Sequence, residues 1–390
     1  MRTVGIVCEC NPFHGGHEYL IRRAREAGDA CVVCVMSGPF VQRGEAAVTD
    51  AYTRAEILVR GGADAVVELP FPYAAASAEY FARAGVDILS RLGVGELWFG
   101  SECGDLARLA RLAELADSTV FRERYESMTV GNAGTARAYF DCLCELAGED
   151  ASCLSNDILA ISYLRAIKTL GASITPVTVK REGSRYLDDT IGDGFPSATA
   201  LRRKWREGGL AAILPHLPRA SAEVLMRERI ETPADLRYAE RLILGHFRLT
   251  SVDALECCAE LSGGLGTRMA GLADRADTLD KFLALCATKK YPNARLRRGI
   301  LFALTGVAQD DLRRSPAYTR LLAANVVGCR FLADARNASA MPVVTRRTDL
   351  PNTSDAMRQE EQERRALALY ALCQPTAKET DLWKRAPTIL

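Results

Sequence analysis

Four short runs rich in β-branched and apolar residues, Thr3 to Cys8, Ala30 to Met36, Ala65 to Leu69 and Glu96 to Phe99, punctuate the first hundred residues, each followed by a Gly, Pro or Asn turn. Between them, Glu18 to Ala27, Tyr52 to Arg60 and Ala78 to Leu92 carry apolar residues at spacings near three and four, the period of a helix with one buried face. Strand and helix in strict alternation predict a parallel sheet covered by helices. Right-handed crossovers make that an open, doubly wound, Rossmann-like α/β sheet, whose ligands sit outside the carboxyl ends of the strands. The loops after the strands are therefore where chemistry is expected.

From Leu106 onward strand signals thin out, apart from the β-branched run Ser173 to Val179, and a mainly helical carboxyl-terminal region is expected. A chain of 390 residues favours two domains. Gly208-Gly209 and the Pro215 to Pro218 stretch punctuate a boundary, so the expected division is 1–205 and 206–390. Ala222 to Arg229, Ala234 to Leu244 and Leu279 to Leu285 read as separate helices, and Arg336 to Asp355 as a long surface loop before a last helix at Arg358 to Leu372.

Fifty basic residues against 49 acidic remove the simplest argument for a nucleic-acid binder, a strongly basic chain, and leave room only for a local basic face. The amino terminus runs into a short apolar stretch broken by Glu9, which is neither a signal sequence nor a membrane span, so a cytosolic protein without membrane contact is expected. Thirteen scattered cysteines, several inside apolar runs, read as reduced thiols packing as small hydrophobes. Cys31 and Cys34 have redox spacing, but within a buried strand.

The strongest local signal is Asn11-Pro12-Phe13-His14-Gly15-Gly16-His17, directly after the first strand and opening the first helix. It fits His-x-Gly-His. The glycines let the chain turn sharply and bring a nucleotide close to the main chain, while the helix start aims its amides at the phosphates. His14 and His17, three apart across the turn, can donate to the same phosphate and are the candidate catalytic pair. Zinc at Cys8 and Cys10 is the weaker reading, because these sit on or just past a parallel strand, and no metal site is expected. Ser197, Thr199 and Arg202, at the start of a basic helical stretch, are the right types to hold a departing pyrophosphate, although Ser197 alone would read as a plain helix cap.

These motifs resemble the His-x-Gly-His nucleotidylyl transferases, a signature shared with class I aminoacyl-tRNA synthetases. With Met36-Ser37-Gly38, Gln42-Arg43-Gly44-Glu45, Glu68-Leu69-Pro70, Phe99-Gly100-Ser101-Glu102, Ser197-Ala198-Thr199 and Thr288-Lys289-Lys290-Tyr291, the chain is more narrowly similar to the tRNA(Met) cytidine acetate ligase family. The resemblance is looser at Ala51, Ser155 and Leu187, where that family often has lysine, proline and histidine. It implies activation of acetate by ATP, with Mg2+ on the nucleotide, to acetyl-adenylate, then transfer of the acetyl group to N4 of the wobble cytidine of elongator tRNA(Met). The family's ATP-contacting segment corresponds to Val7, Cys8, Glu9, Cys10, Asn11, Pro12, Phe13, His14, Gly15, Gly16, His17, Glu18, Tyr19 and Leu20. Its later ATP contacts correspond to Gly100, Asn156 and Arg181. Residues 1–205 would then be the ATP-binding unit and 206–390 the tRNA-binding unit.

Lys289, Lys290, Arg295, Arg297 and Arg298 put five cations into ten residues with Tyr291 among them, a pattern suited to RNA phosphates and base stacking, and otherwise to a solvated helix face. Two other functions fit parts of the sequence. A small-molecule adenylyltransferase uses the same histidine motif but is often much shorter, and a noncatalytic RNA-binding protein would not need the histidine pair.

Overall fold

The structure is a computed structural model and describes residues 1–129, 136–148, 157–181, 195–338, 340–376 and 380–390. Its amino-terminal part runs β1 (Arg2–Cys8), α1 (Gly15–Glu26), β2 (Ala30–Ser37), α2 (Ala51–Arg60), β3 (Ala65–Leu69), α3 (Ala78–Arg91) and β4 (Glu96–Ser101). Four helices follow, α4 (Leu106–Ala116), α5 (Thr119–Thr129), α6 (Ala136–Ala147) and α7 (Asp157–Leu170), then β5 (Thr175–Lys180) and α8 (Ala198–Gly208). Next come α9 (Arg219–Arg227), α10 (Glu240–Leu249), α11 (Val252–Glu256), α12 (Leu265–Ala273), α13 (Leu279–Cys286), α14 (Asn293–Thr305) and α15 (Gln309–Arg313). The chain closes with β6 (Thr319–Ala324), α16 (Val326–Ala338), β7 (Val343–Val344), α17 (Ser354–Leu372) and β8 (Thr388–Ile389).

The sheet order is β5-β4-β1-β2-β3-β6-β7, with β8 on β6; the first five strands are mutually parallel and β6 runs antiparallel to β3. Every residue of β2 and β3 is buried, as expected of central strands covered on both faces. From β1 the chain winds outward through β2 to β3, then returns across to β4 on the other side. The switch point therefore lies between β1 and β4, and the crevice at their carboxyl ends is the fold's natural ligand site.

The doubly wound sheet and the helical later region are as the sequence predicts, including β5 in the β-branched run. The edge differs. Residues 319–324 form a strand where the sequence predicts only helices, and 336–355 are not one long loop, since α16 reaches Ala338 and β7 pairs with β6. Thr319 to Ala324 is short and rich in leucine and alanine, helix-favouring residues that pairing with β3 overrides. The predicted helix at Ala234 to Leu244 is a short 3-10 turn followed by α10, and the last helix begins earlier, at Ser354, with Thr353 as its cap.

Sheet and core thus draw on both sides of the 205/206 division. One core layer joins β1 and β2 side chains to Leu201, Trp205, Leu225, Leu322 and Ala323. A buried ionic cluster ties the late strand and last helix to the early sheet: Arg320 of β6 lies 2.5 Å from a Glu68 oxygen on β3 and 3.6 Å from Glu363 on α17. The Tyr318 hydroxyl and the Gln359 amide donate to Glu363 at 3.0 and 2.8 Å. Burial pushes the Glu363 carboxyl up to about 8, so at neutral pH it is mostly protonated and the cluster carries less unbalanced charge than its residues suggest.

Candidate active site

The predicted ATP loop closes on itself through its two histidines. His14 is the N-cap of α1: its Nδ1 accepts the Gly16 amide at 3.1 Å, while Nδ1 of His17 accepts the His14 amide at 3.2 Å. This is a capping box built from imidazoles. A neutral imidazole has one acceptor and one donor nitrogen, so engaging both Nδ1 atoms leaves the proton of each ring on Nε2. Burial holds both imidazoles well below their ordinary value, His17 at about 4, and the Arg181 charge adds to the effect. Both rings are therefore neutral Nε2–H donors at physiological pH. Their centroids are 4.1 Å apart, and the Phe13 ring stacks on His17 at 5.7 Å. The His14 ring is buried.

Side chains from distant elements fix this loop by taking up its polar groups. The Asn11 carbonyl accepts Arg202 of α8 at 2.8 Å, the Asn11 side-chain oxygen accepts the Val48 amide at 2.7 Å, and the Phe13 carbonyl accepts the Ser221 hydroxyl at 3.0 Å. The buried guanidinium of Arg54 reaches the carbonyls of Glu9 at 2.7 Å and Thr49 at 3.0 Å, and also that of Gly38. Gly15 leaves room for the Phe195 ring, which a Cβ there would strike.

A cavity of about 240 Å³ opens at the switch point. Of the predicted residues, Val7, Cys8, Glu9, Asn11, His14, Gly16, His17, Tyr19 and Leu20 line it, joined by Gly100, Arg181, Ser197, Thr199 and Arg202 from later in the chain. Cys10, Pro12, Phe13, Gly15 and Glu18 support the loop without lining the cavity, and Asn156 lies outside the described residues. Ser197 is the N-cap of α8, its hydroxyl accepting the Ala200 amide at 3.0 Å, and Arg202 pairs with Glu45 at 3.0 Å. Two helix starts and three arginines, Arg43, Arg181 and Arg202, thus surround one cavity, an arrangement that favours a polyanion. The Glu9 carboxyl accepts the Gln42 amide at 2.9 Å, and burial pushes it above the usual carboxylate range.

Sequence reasoning missed Arg54, Ser221, Phe195 and Tyr163. Only Arg54 left a signal, an arginine on the buried face of an amphipathic helix. Among the described residues no His, Cys, Asp and Glu side chains cluster as a metal site, the cysteines are free thiols, and no helix is long and apolar enough to cross a membrane.

The basic cluster is not a uniform face. Arg295 and Arg298 pair with Glu260 at 3.4 and 2.9 Å, and Arg297 with Glu45 at 3.1 Å. Tyr291, expected to stack on RNA bases, is buried: its hydroxyl donates to the Gly263 carbonyl and Arg295 covers its ring at 5.3 Å. Lys289 is exposed and Lys290 half-buried.

Comparison with known proteins agrees with this geometry. The profile of the HIGH Nucleotidyl Transferase family matches residues 1–384. The tRNA(Met) cytidine acetate ligase of Syntrophotalea carbinolica is 35% identical over 96% of this chain and 95% of its own. That of Clostridium perfringens is 31% identical over the full length of both. The apo crystal structure of Thermotoga maritima TmcAL superposes with a TM-score of 0.93 at 30% identity, and its complex with alpha-thio ATP with 0.90, each over the whole of both chains. With sequence and fold matched end to end, the chain belongs to the tRNA(Met) cytidine acetate ligase family of HIGH nucleotidyl transferases.

Proposed function

We propose that the chain joins acetate to ATP as acetyl-adenylate and transfers the acetyl group to N4 of the wobble cytidine of elongator tRNA(Met), giving N4-acetylcytidine. The observation that carries this reading is the pair of backbone-locked Nε2–H donors, His14 and His17, beside Arg181 and Arg202 in one cavity. Acetate is ionised at neutral pH and needs no base. Its oxygen attacks the α-phosphorus, the bond to the pyrophosphate oxygen breaks, and pyrophosphate leaves with that electron pair. Negative charge grows on the α-phosphate oxygens, where neutral imidazole N–H groups and the helix start stabilise it without carrying a proton. Arg202 and Thr199 offset the charge of the leaving pyrophosphate, and Mg2+ arrives on the phosphates of ATP as part of the substrate.

In the second step the cytidine amine attacks the acetyl carbonyl, AMP departs, and the amine loses a proton. The base must be unstacked beside the first cavity. We assign the ATP chemistry to 1–205 and the holding of tRNA to 206–390, with Lys289 and Lys290 contacting the RNA backbone and Arg295, Arg297 and Arg298 shaping the surface that carries them. The reaction is placed in the cytosol, where ATP, acetate and tRNA meet. The full-length match to the ligases disfavours a small-molecule adenylyltransferase. The deciding experiment is exchange of labelled pyrophosphate into ATP, which this reading expects only when acetate is present; exchange independent of acetate would refute it.

A further inference from the structure

The cavity holds a group that the phosphate chemistry does not use. Tyr163, on α7, is buried and lines the cavity, yet its hydroxyl has no hydrogen-bond partner among the described residues. Apolar side chains line the cavity with it, Phe81 of α3, Phe99 of β4 and Leu159 of α7, the Phe99 and Tyr163 ring centroids 5.6 Å apart. Burial, with Cys8 and Glu9 nearby, pushes the phenol well up, so it remains a donor throughout the physiological range. A buried hydroxyl without an acceptor is a cost to the fold and marks where an acceptor from outside the protein belongs. Asn11 Nδ2, also buried without a partner among the described residues, sits with the two histidine Nε2–H donors on the phosphate side, where Arg202 holds the same residue's carbonyl.

We propose that Tyr163 is the acetate-binding residue, its hydroxyl donating to one carboxylate oxygen while Phe81, Phe99 and Leu159 enclose the methyl group. This rests on the acetate-activating reading above. A carboxylate only accepts hydrogen bonds, which is what a lone O–H donor requires. The second carboxylate oxygen is the one that attacks the α-phosphorus, and no proton moves. An enclosed apolar wall also discriminates by size, favouring the two-carbon acid over longer ones.

The test is acetate-dependent pyrophosphate exchange by the full chain. Tyr163→Phe is expected to raise the acetate KM about tenfold or more, as for a lost hydrogen bond to a charged group. The ATP KM should stay within about twofold, and the melting temperature should not fall, because the deleted hydroxyl has no protein partner. Leu159→Ala should raise the ratio of propionate to acetate use about fivefold, by the room of the deleted side-chain carbons. An unchanged acetate KM in Tyr163→Phe, an equal rise in the ATP KM, or an unchanged propionate ratio in Leu159→Ala overturns the assignment while leaving the ligase reading standing. Wild-type exchange that ignores acetate overturns both.

Discussion

The Nδ1 atom of His17 accepts the backbone amide of His14 at 3.2 Å, so the second histidine of the motif holds the first residue's main chain while its own Nε2–H is left for substrate. One interaction therefore serves helix capping and catalysis together. The two can be separated by mutation.

His14→Ala and His17→Ala should each reduce acetyl-adenylate formation by about two to three orders of magnitude, the usual consequence of losing one donor to a developing oxyanion. His14→Ala should also lower stability by about 1 kcal/mol through the lost cap. His14→Asn restores a capping side chain and should recover that stability without the activity. Thermal melts beside pyrophosphate exchange check this; activity near wild type in either alanine variant would remove the histidines from the mechanism.

The depressed imidazoles make a prediction about pH. In the ligand-free protein neither histidine should titrate between pH 8 and 5.5, because the folded value of His17 is about 4 and that of His14 is also well below 6.5. In the unfolded chain both take up protons below about 6.5, so the stability attached to them is full above that value and is lost as pH falls toward 4. Imidazole carbon-bound proton shifts followed by NMR, assigned with the two alanine variants, report this directly. A midpoint near 6.5 for either ring would mean that the buried, amide-locked geometry does not exist in solution.

The basic cluster should split into two classes. Lys289→Ala with Lys290→Ala is expected to weaken tRNA binding and to reduce the slope of log affinity against log salt by about 0.7 to 0.9 for each phosphate no longer neutralised, with at most a small fall in melting temperature from losing the Lys290 ammonium 5.1 Å over the Tyr291 ring. Arg295→Ala with Arg298→Ala leaves Glu260 without these two partners and removes one of the two cations over the Tyr291 ring, and should lower the melting temperature. A salt slope unaffected by the lysine changes would place the RNA on another face.

Arg320→Met should destabilise the fold by about 3 to 5 kcal/mol, since it strands the Glu68 carboxyl in the interior without its ion-pair partner. Glu363→Gln should be nearly silent at pH 6. Because the folded Glu363 carboxyl sits at about 8, above its unfolded value of about 4.3, the stability it contributes is fully present below pH 4 and declines as pH rises to 8. The glutamine variant should therefore gain on wild type in urea midpoint as pH is raised from 6 to 9. No such gain would show that Glu363 is ionised throughout.

What could be read from the sequence was local. The strands from Thr3 to Phe99 declare themselves because central parallel strands are continuous apolar runs, and the histidine motif because its glycines and spacing sit together at a strand-to-helix turn. The supports of the site could not be read in that way. Ser221, Arg54 and Arg202 bond the carbonyls of Phe13, Glu9 and Asn11, each across a separation of forty residues or more that no local pattern encodes. Tyr163 looks like any aromatic on a helical face until α7 brings it under the cavity. The strand at Thr319 to Ala324 was hidden for the opposite reason: its residues favour a helix, and only the uncovered edge of β3 makes a strand of them.

That late strand bears on how the protein is made. β3 is apolar save for Glu68, and its outer edge pairs with β6, which begins at Thr319. Until the ribosome has passed that point, the growing chain presents an open, sticky strand edge, free to pair with another nascent copy. That edge therefore stays open for most of the chain's synthesis, and is where pairing between nascent copies would begin.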